Sequence, residues 1–320
     1  MINTLSKENY SPNAETPGLI EITLPPACAG LRLDQALAGL LHDYSRSRLA
    51  AWIRDQRITV DGRPAQPRDK VWGGEQVSVA PGPDPAALAF RPQDIPLAIV
   101  YEDDALIVVD KPAGLVVHPG SGNWEGTLLN ALLQHAPALA HVPRAGIVHR
   151  LDKETSGLLA VAKTLTAQTS LVRQLQARTV TRVYAAIAHG RVARAGKIEA
   201  PIGRHPVHRT RMAVVPSGKP AVTHYQIVEQ YAHAALLRCR LETGRTHQIR
   251  VHLASIGHPL YGDPVYGPKR RTAAGVPFAR QALHAQKLAL VHPFTQAMMH
   301  WESALPPDMQ ALIAALKAQS

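Results

Sequence analysis

The sequence is poor in cysteine and has no long apolar run. Its two cysteines, Cys28 and Cys239, are far apart in the chain. They cannot form a disulfide framework, and without a Cys-x-x-Cys pair they do not suggest zinc, so we expect two reduced thiols packed as small hydrophobic side chains. No apolar stretch approaches the roughly 18 residues that cross a membrane. The chain is therefore not expected to have a membrane partner.

Two further absences concern targeting and metal binding. The first residues, MINTLSKENYSPNAETPG, are polar and lack the apolar segment of a secretory signal. We expect residues 1–20 to form a disordered leader and the protein to be cytoplasmic. The 16 histidines show no His-Glu-x-x-His or similar ligand spacing, so no metal site is expected.

The chain is strongly basic. Its 35 Lys and Arg outnumber 24 Asp and Glu, which gives a formal net charge of +11. Residues 201–250 hold eight Lys and Arg against two Glu, within strand and helix patterns. A hydrophobic fraction of 46% indicates a sizeable folded core. A folded basic face favours a polyanionic partner, nucleic acid first, although a generally basic soluble surface would give the same charge.

Residues 28–82 are expected to form a small domain. Leu33, Ala36, Leu37 and Leu40 follow the spacing of an amphipathic helix. Ser45 is placed to cap a second helix, and Asp61-Gly62 predicts a tight hairpin turn. Two basic helices followed by a strand, a turn and a strand resemble the S4 RNA-binding domain. That resemblance makes Arg46, Arg48 and Arg54, on the outer face of the second helix, candidate RNA contacts.

A proline-rich stretch, residues 83–96, is expected to be a linker. From residue 97 to residue 320 the chain mixes strands and short helices in one large domain. Residues 106–109 and 158–162 are apolar strands, and Thr127 is placed to cap a helix. Alternation along residues 183–187 places Tyr184 on the opposite face from its neighbours. Residues 263–281, which include Lys269, Arg270 and Arg271, are expected to form a long basic loop.

The segment His149-Arg150-Leu151-Asp152-Lys153-Glu154-Thr155-Ser156-Gly157 lies between a loop and the strand over residues 158–162. Loops at strand ends commonly hold catalytic groups. A carboxylate flanked by cations can act as a nucleophile, a base or a metal ligand. Equally, Asp152 could belong to an ordinary surface ion pair, and the residue types alone do not decide.

The motif decides more than the residue types. HRLDKETSG resembles the signature of the RluA-type pseudouridine synthases, HRLD-x-x-[TS]-[ST]-G. Three more segments match the family in order: KPAGLVVHPG (111–120), TRVYAAIAHG (181–190) and LETGRTHQIRVHLASIGHPLYGDPVYG (241–267). RQALHAQKLALVHP (280–293) matches the closing segment. With the S4-like domain in front, the chain is most similar to a branch that modifies uridines of large-subunit ribosomal RNA, in a 23S rRNA stem-loop at the subunit interface.

The resemblance implies an α+β fold, in which the small S4-like domain precedes a catalytic domain with a long, mixed, mostly antiparallel sheet. It implies that Asp152 is the catalytic nucleophile, acting either on the ribose directly or through a glycal intermediate. Arg245 would keep Asp152 ionised, with a phosphate contact as its alternative role. Tyr184 would stack on the target base and relay a proton. The alternative is an ordinary half-buried strand tyrosine without a role in the reaction.

The same resemblance assigns base-binding residues. Arg150 would occupy the place of the flipped base, or else contact a phosphate or carboxylate. Ile249 would form the apolar wall of the base pocket. His149 could also contact the RNA. Both His149 and His247 are expected to shape the loop by hydrogen bonding, with a catalytic role as the alternative.

The reaction implies neither a cofactor nor a metal. The expected partner is large-subunit ribosomal RNA, free or in an assembling subunit. The alternatives are the same chemistry on tRNA or at another site of the 23S rRNA, and a non-catalytic RNA-binding factor for ribosome assembly. A metal-dependent nuclease would require a carboxylate cluster that the sequence lacks.

Overall fold

The computed structural model describes residues 18–82, 89–120, 122–268 and 276–319. Contacts divide the chain into two compact units, Met1–Ala87 and Leu88–Ser320. Most of the expected leader lies outside the described residues. So do Lys269, Arg270 and Arg271, on which the expectation of a basic loop rests.

The first unit contains two helices and a small sheet. Its helices are α1 (Leu33–Leu40) and α2 (Arg46–Arg54), and its strands are β1 (Ile20–Thr23), β2 (Ile58–Val60), β3 (Arg63–Pro64) and β4 (Gln76–Val79). A 3₁₀ turn at Pro26–Cys28 lies between β1 and α1. The strands lie in the order β1-β4-β2-β3, and all their pairs are antiparallel. Asp61 and Gly62 take positive φ angles of 49° and 72° in the β2–β3 turn, which is why a flexible residue pair stands there.

The Ser45 cap is confirmed, because its Oγ accepts a hydrogen bond from the Arg48 amide at 3.3 Å. Strand β1 was not predicted. It begins at Ile20, at the end of the expected leader, and it pairs with β4 along four residues. Four residues give too short an alternation to be recognised from sequence.

The second unit is built on one nine-stranded sheet. Its strands are β5 (Ile99–Glu102), β6 (Leu106–Lys111), β7 (Ser156–Ala162), β8 (Thr181–His189), β9 (Gly196–Glu199), β12 (Val222–Gln230), β13 (Ala234–Leu241), β14 (Leu283–Val291) and β15 (Met298–Glu302). A separate hairpin is formed by β10 (Ile202–Arg204) and β11 (Met212–Val214).

The sheet has the order β5-β6-β7-β14-β8-β13-β12-β9, and β15 also pairs with β14. Among the described residues, β7 and β14 form the one parallel pair, and the other neighbours are antiparallel. The expected α+β fold with a mixed, mostly antiparallel sheet is confirmed.

Helices cover both faces of this sheet. They are α3 (Leu128–His135), α4 (Leu165–Gln176), α5 (Gln248–Ser255) and α6 (Pro307–Lys317), with 3₁₀ turns at Pro137–His141 and Pro143–Gly146. Thr127 caps α3 as predicted. The leucines of α3 pack with Tyr184 on one face, whereas Ala185 and Ile187 pack with α6 on the other. The expected separation of Tyr184 from its neighbours is therefore confirmed, and Tyr184 lies on the α3 face.

Among the described residues, no helix has the length and apolar character needed to cross a membrane. Nor does this part of the chain contain a group of three or more His, Cys, Asp or Glu side chains placed to hold a metal. Cys28 and Cys239 are free and buried, as expected for small apolar side chains.

Candidate active site

A buried lysine binds the backbone of the loop that carries Asp152. Lys111, 1% exposed, ends β6. Its Nζ donates to the carbonyls of Pro112 (2.7 Å), Leu115 (2.9 Å) and Lys153 (3.0 Å). Burial lowers the pKa of Lys111 to about 8, against the raising effect of nearby Glu154 and Asp152. Because Lys153 follows Asp152 directly, this lysine fixes the backbone beside the carboxylate.

The other end of the loop is fixed from β14 and the segment before it. Arg280 Nη1 donates to the Glu154 carbonyl at 3.0 Å, and its fork is held by Asp308 at 2.7 and 2.9 Å. Gln281 Nε2 donates to Thr155 Oγ1 at 3.2 Å. The Thr155 amide closes a turn on the Asp152 carbonyl at 3.0 Å. These bonds leave the loop little conformational freedom.

Gly157 allows the start of β7 to lie close to the backbone of β14. Its φ is +113°, and a Cβ at this position would lie 2.3 Å from the Ala285 carbonyl oxygen of β14. Both the backbone angle and the close approach require glycine. Ser156, beside it, bonds His284 Nδ1 at 3.0 Å. Thr155, Ser156 and Gly157 therefore hold the turn that follows Asp152.

Asp152 forms an ion pair with Arg250. Arg250 Nη1 donates to Asp152 Oδ2 at 3.0 Å, and the side chains are 5% and 18% exposed. The predicted pairing of Arg245 with Asp152 is wrong. Arg245 precedes α5, is partly exposed, and its Nε donates to the Pro220 carbonyl at 3.1 Å. Arg250, in the first turn of α5, is the arginine of that motif that bonds the carboxylate.

A second aspartate, which the sequence analysis did not identify, orients Arg250. Asp263 accepts from Arg250 Nε at 2.7 Å and from Nη2 at 3.0 Å, and its side chain is fully buried. Burial would lower the pKa of Arg250, but the bonds and charges of Asp263 and Asp152 outweigh it and raise that pKa. Tyr266 stacks on the guanidinium at 5.1 Å. Asp263 and Tyr266 both lie in the motif over residues 241–267, so their membership of that motif was the signal that could have identified them as site residues.

His247 lies on the other side of the carboxylate. Its Nε2 is 3.9 Å from Asp152 Oδ1, and its Nδ1 is 2.9 Å from the Tyr266 hydroxyl. Burial lowers the pKa of His247, although Asp152 acts in the opposite direction. The residue precedes α5 with a left-handed φ of 57°. As expected, it shapes the site by hydrogen bonding.

Tyr184 and Ile249 belong to the apolar core beside the Asp152 loop. They are 6% and 3% exposed and share a hydrophobic cluster with Leu151, the residue before Asp152. Burial raises the pKa of Tyr184, and the negative charge of Asp152 adds to that rise. The Tyr184 ring therefore lies near enough to Asp152 to be affected by its charge.

The two residues that begin the HRLD motif differ in exposure. His149 Nε2 accepts a hydrogen bond from the Ala160 amide at 3.0 Å, which ties the loop to β7. The side chain of Arg150 is exposed, and within the described part of the chain it makes no hydrogen bond or ion pair. His118, from the first motif, has its pKa lowered to about 4 by burial and by the charges of Arg144 and Arg150. The mouth of the site is therefore cationic.

The three candidate arginines of the first unit differ in their surroundings. Arg46 is exposed and pairs with buried Asp34 at 3.0 Å. Arg48 is partly exposed and lies over the Trp52 ring at 6.0 Å. Arg54 is exposed at the end of α2. Their role in RNA binding stays a prediction.

Comparisons with known proteins match this geometry. Residues 105–255 match the family model for RNA pseudouridylate synthase, and residues 31–77 match the S4 domain. A protein of Nitrosomonas europaea named Ribosomal large subunit pseudouridine synthase D is 57% identical over 99% of this chain and 96% of its own. The Escherichia coli protein of that name is 55% identical over 90% and 91%.

One solved structure supports the same conclusion. Human RNA Pseudouridylate Synthase Domain Containing 1 superimposes with a TM-score of 0.55 at 29% identity, covering 70% of this chain and 89% of that one. The relatives span nearly the whole chain, and the motif residues surround one carboxylate. The chain belongs to the RNA pseudouridine synthase family and carries an S4 domain ahead of its catalytic domain.

Proposed function

We propose that this enzyme isomerises specific uridines of large-subunit ribosomal RNA to pseudouridine, with Asp152 as the nucleophile. The observation that carries the proposal is the Asp152–Arg250 ion pair, 3.0 Å long. It combines a partly exposed carboxylate, a buried cation and a loop whose backbone is fixed at both ends. A carboxylate held ionised in this way can attack carbon without an activating base.

The reaction breaks the N1–C1′ bond and forms a C5–C1′ bond. Asp152 would attack C1′ and release the uracil, which turns; its C5 then attacks C1′ and displaces the Asp152 oxygen, which restores the free carboxylate. The hydrogen on C5 leaves as a proton, and N1 gains one, so atoms and charge balance without an oxidant. The alternative removes the C2′ proton and passes through a glycal, and it also needs an anionic carboxylate. Neither route requires a cofactor.

The neighbouring residues have roles that fit this chemistry. The uridine must leave its stack, at a cost of a few kcal/mol. Tyr184 would stack on the extruded base, and Ile249 would form the wall behind it. Arg150, exposed next to the loop, would fill the space that the base vacates. Such contacts act by positioning.

The substrate follows from the relatives and from charge. The proteins that match along nearly the whole chain are named for the ribosomal large subunit. An S4 domain with Arg46, Arg48 and Arg54 on one helix gives a second cationic surface. We place the reaction in the cytoplasm, on rRNA either free or in an assembling subunit, at a stem-loop of the 23S rRNA.

The test is release of tritium from 23S rRNA labelled at C5 of uridine, carried out in EDTA. Wild type is compared with Asp152→Asn and with Asp104→Asn, a change at an exposed carboxylate of the same unit. We expect release by wild type and by Asp104→Asn, and none by Asp152→Asn.

Each other result has a definite meaning. Equal release by all three proteins would refute the role of Asp152. Release from tRNA but not from 23S rRNA would refute the substrate and keep the chemistry. No release from any RNA, with intact RNA binding, would favour an assembly factor.

A further inference from the structure

Arg182 is a buried cation that has no carboxylate partner among the described residues. It is 8% exposed, on β8. Within the described residues its single hydrogen bond runs from Nη2 to the Glu242 carbonyl, at 3.4 Å. Its Nε is buried without any partner. Removing a guanidinium from water without a counter-ion is costly, so the fold retains an unbalanced charge here.

The position of Arg182 connects it to the active site. It lies two residues before Tyr184 on the same strand, and alternation puts both side chains on one face. The charge of Arg182 lowers the pKa of Tyr184, which burial raises. It also lowers the pKa of His149, in the same direction as burial. Arg182 is therefore a near neighbour of the residues that surround Asp152.

A second buried donor without a partner lies near Arg182. His149 Nε2 accepts from the Ala160 amide, so the ring proton is on Nδ1. That Nδ1 is also buried without a partner. Two adjacent side chains thus present unpaired N–H groups and positive potential. An anionic oxygen is the ligand that would balance both.

Gly244 lies against the guanidinium of Arg182. A Cβ on Gly244 would lie 2.8 Å from Arg182 Nη1, so a residue without a side chain stands there. Among the described residues, Nη1 has no hydrogen-bond partner. Gly244 is exposed, so this end of the guanidinium lies close to the protein surface.

We propose that Arg182 binds a phosphate of the RNA strand immediately beside the target uridine. The inference rests on the proposed function. A uracil base is neutral, and the full anions of RNA are its phosphates, so only a phosphate supplies the missing counter-charge. A flipped nucleotide remains tied to its two flanking phosphates. A base stacked on Tyr184 therefore brings one of them to the adjacent arginine, which offers the planar fork that suits phosphate oxygens.

The test removes the charge from each partner in turn. The target uridine is first mapped with wild type. Short RNA substrates are then made with one neutral methylphosphonate linkage, either 5′ or 3′ of that uridine. Turnover is measured for wild type, Arg182→Gln and Arg178→Gln. Arg178 is a matched control because it is exposed beside β8 and pairs with Glu242 on the surface.

The proposal expects one neutral linkage to lower kcat/KM of wild type by ~10- to 100-fold. Arg182→Gln should lose a similar factor on native RNA and lose no more on the neutral linkage. Arg178→Gln should keep the full linkage effect. The proposal is overturned if neither linkage affects wild type, or if the effects of Arg182→Gln and the linkage multiply.

Two provisions keep the test decisive. If Arg182→Gln does not fold, Arg182→Lys replaces it, since lysine keeps the charge without the fork. The fold loss of kcat/KM that the neutral linkage causes should then be smaller in Arg182→Lys than in wild type. An equal loss in the two proteins overturns the proposal. If wild type shows no turnover on any RNA, the proposed function fails. The same single-linkage effect is then sought in the Kd of wild type, where its absence overturns the phosphate site.

Discussion

Arg250 approaches Asp152 with its guanidinium already oriented by a second aspartate. Nη1 donates to Asp152 at 3.0 Å, while Nε and Nη2 are held by Asp263 at 2.7 and 3.0 Å. The Arg250 side chain is 5% exposed and that of Asp152 is 18% exposed. The bidentate pair therefore fixes the cation, and the cation fixes a carboxylate that still reaches solvent.

This arrangement predicts that Arg250, rather than Arg245, supports turnover. Arg250→Lys keeps a charge but loses the fork that contacts both aspartates, so kcat should fall by ~100-fold or more. Arg245→Gln should keep kcat, because Arg245 bonds the Pro220 carbonyl. Single-turnover tritium release measures both variants. Loss of kcat in Arg245→Gln, with retention in Arg250→Lys, would restore the motif-based assignment.

Asp263 is predicted to be essential for stability. Asp263→Asn leaves a buried guanidinium with one partner fewer, and breaking such a pair costs ~3–5 kcal/mol. The free energy of unfolding in urea measures the loss. Glu302→Gln is the control, because the Lys287–Glu302 pair is 43% and 54% exposed and such pairs contribute ~0–1 kcal/mol. Equal stability of the two variants would contradict a structural role for Asp263.

The sequence predicted what depends on local pattern. Ser45 and Thr127 cap their helices as expected, because a cap is defined within four residues. The face occupied by Tyr184 followed from strand alternation. The motif around Asp152 predicted a turn beside the strand over residues 158–162, since a turn is fixed by consecutive residues.

What the sequence did not predict depends on contacts between distant segments. Two arginines in the same motif, Arg245 and Arg250, are equivalent in sequence, and only the direction of α5 separates them. Asp263 accepts from Arg250 across 13 positions, and Lys111 bonds Lys153 across 42. Strand β1 is defined by its pairing with β4. None of these relationships has a local signature.

His149 is predicted to make the enzyme sensitive to acid. Burial, with a contribution from Arg182, lowers the pKa of His149 from 6.5 to about 3. The unfolded chain therefore binds this proton first, so stability is fully present above pH ~6.5 and is lost as pH falls toward 3. Between pH 7 and 5 the loss from this residue is up to ~2 kcal/mol.

His149→Gln tests this origin. The glutamine oxygen can accept from the Ala160 amide as Nε2 does, but it does not titrate. Unfolding in urea at pH 7 and pH 5 should show a smaller acid loss for His149→Gln than for wild type. His300→Gln, at an exposed histidine of β15, should keep the wild-type loss. An unchanged acid loss in His149→Gln would show that other groups cause it.

Gly157 is predicted to be irreplaceable where β7 meets β14. Its φ of +113° strains any L side chain, and an added Cβ would lie 2.3 Å from the Ala285 carbonyl oxygen. Both partners are backbone, so neither can move without displacing β14 or the Asp152 loop. We expect Gly157→Ala to destabilise the second unit by ~2–3 kcal/mol and to abolish turnover.

Gly39→Ala is the matched control for Gly157→Ala, since Gly39 lies in α1 with nothing within 4 Å of an added Cβ. That change should stabilise the first unit by ~0.5–1 kcal/mol. Thermal unfolding measures the stability of both variants, and tritium release measures their turnover. An active and stable Gly157→Ala would contradict the prediction, because it would show that β7 and β14 can separate enough to admit a Cβ.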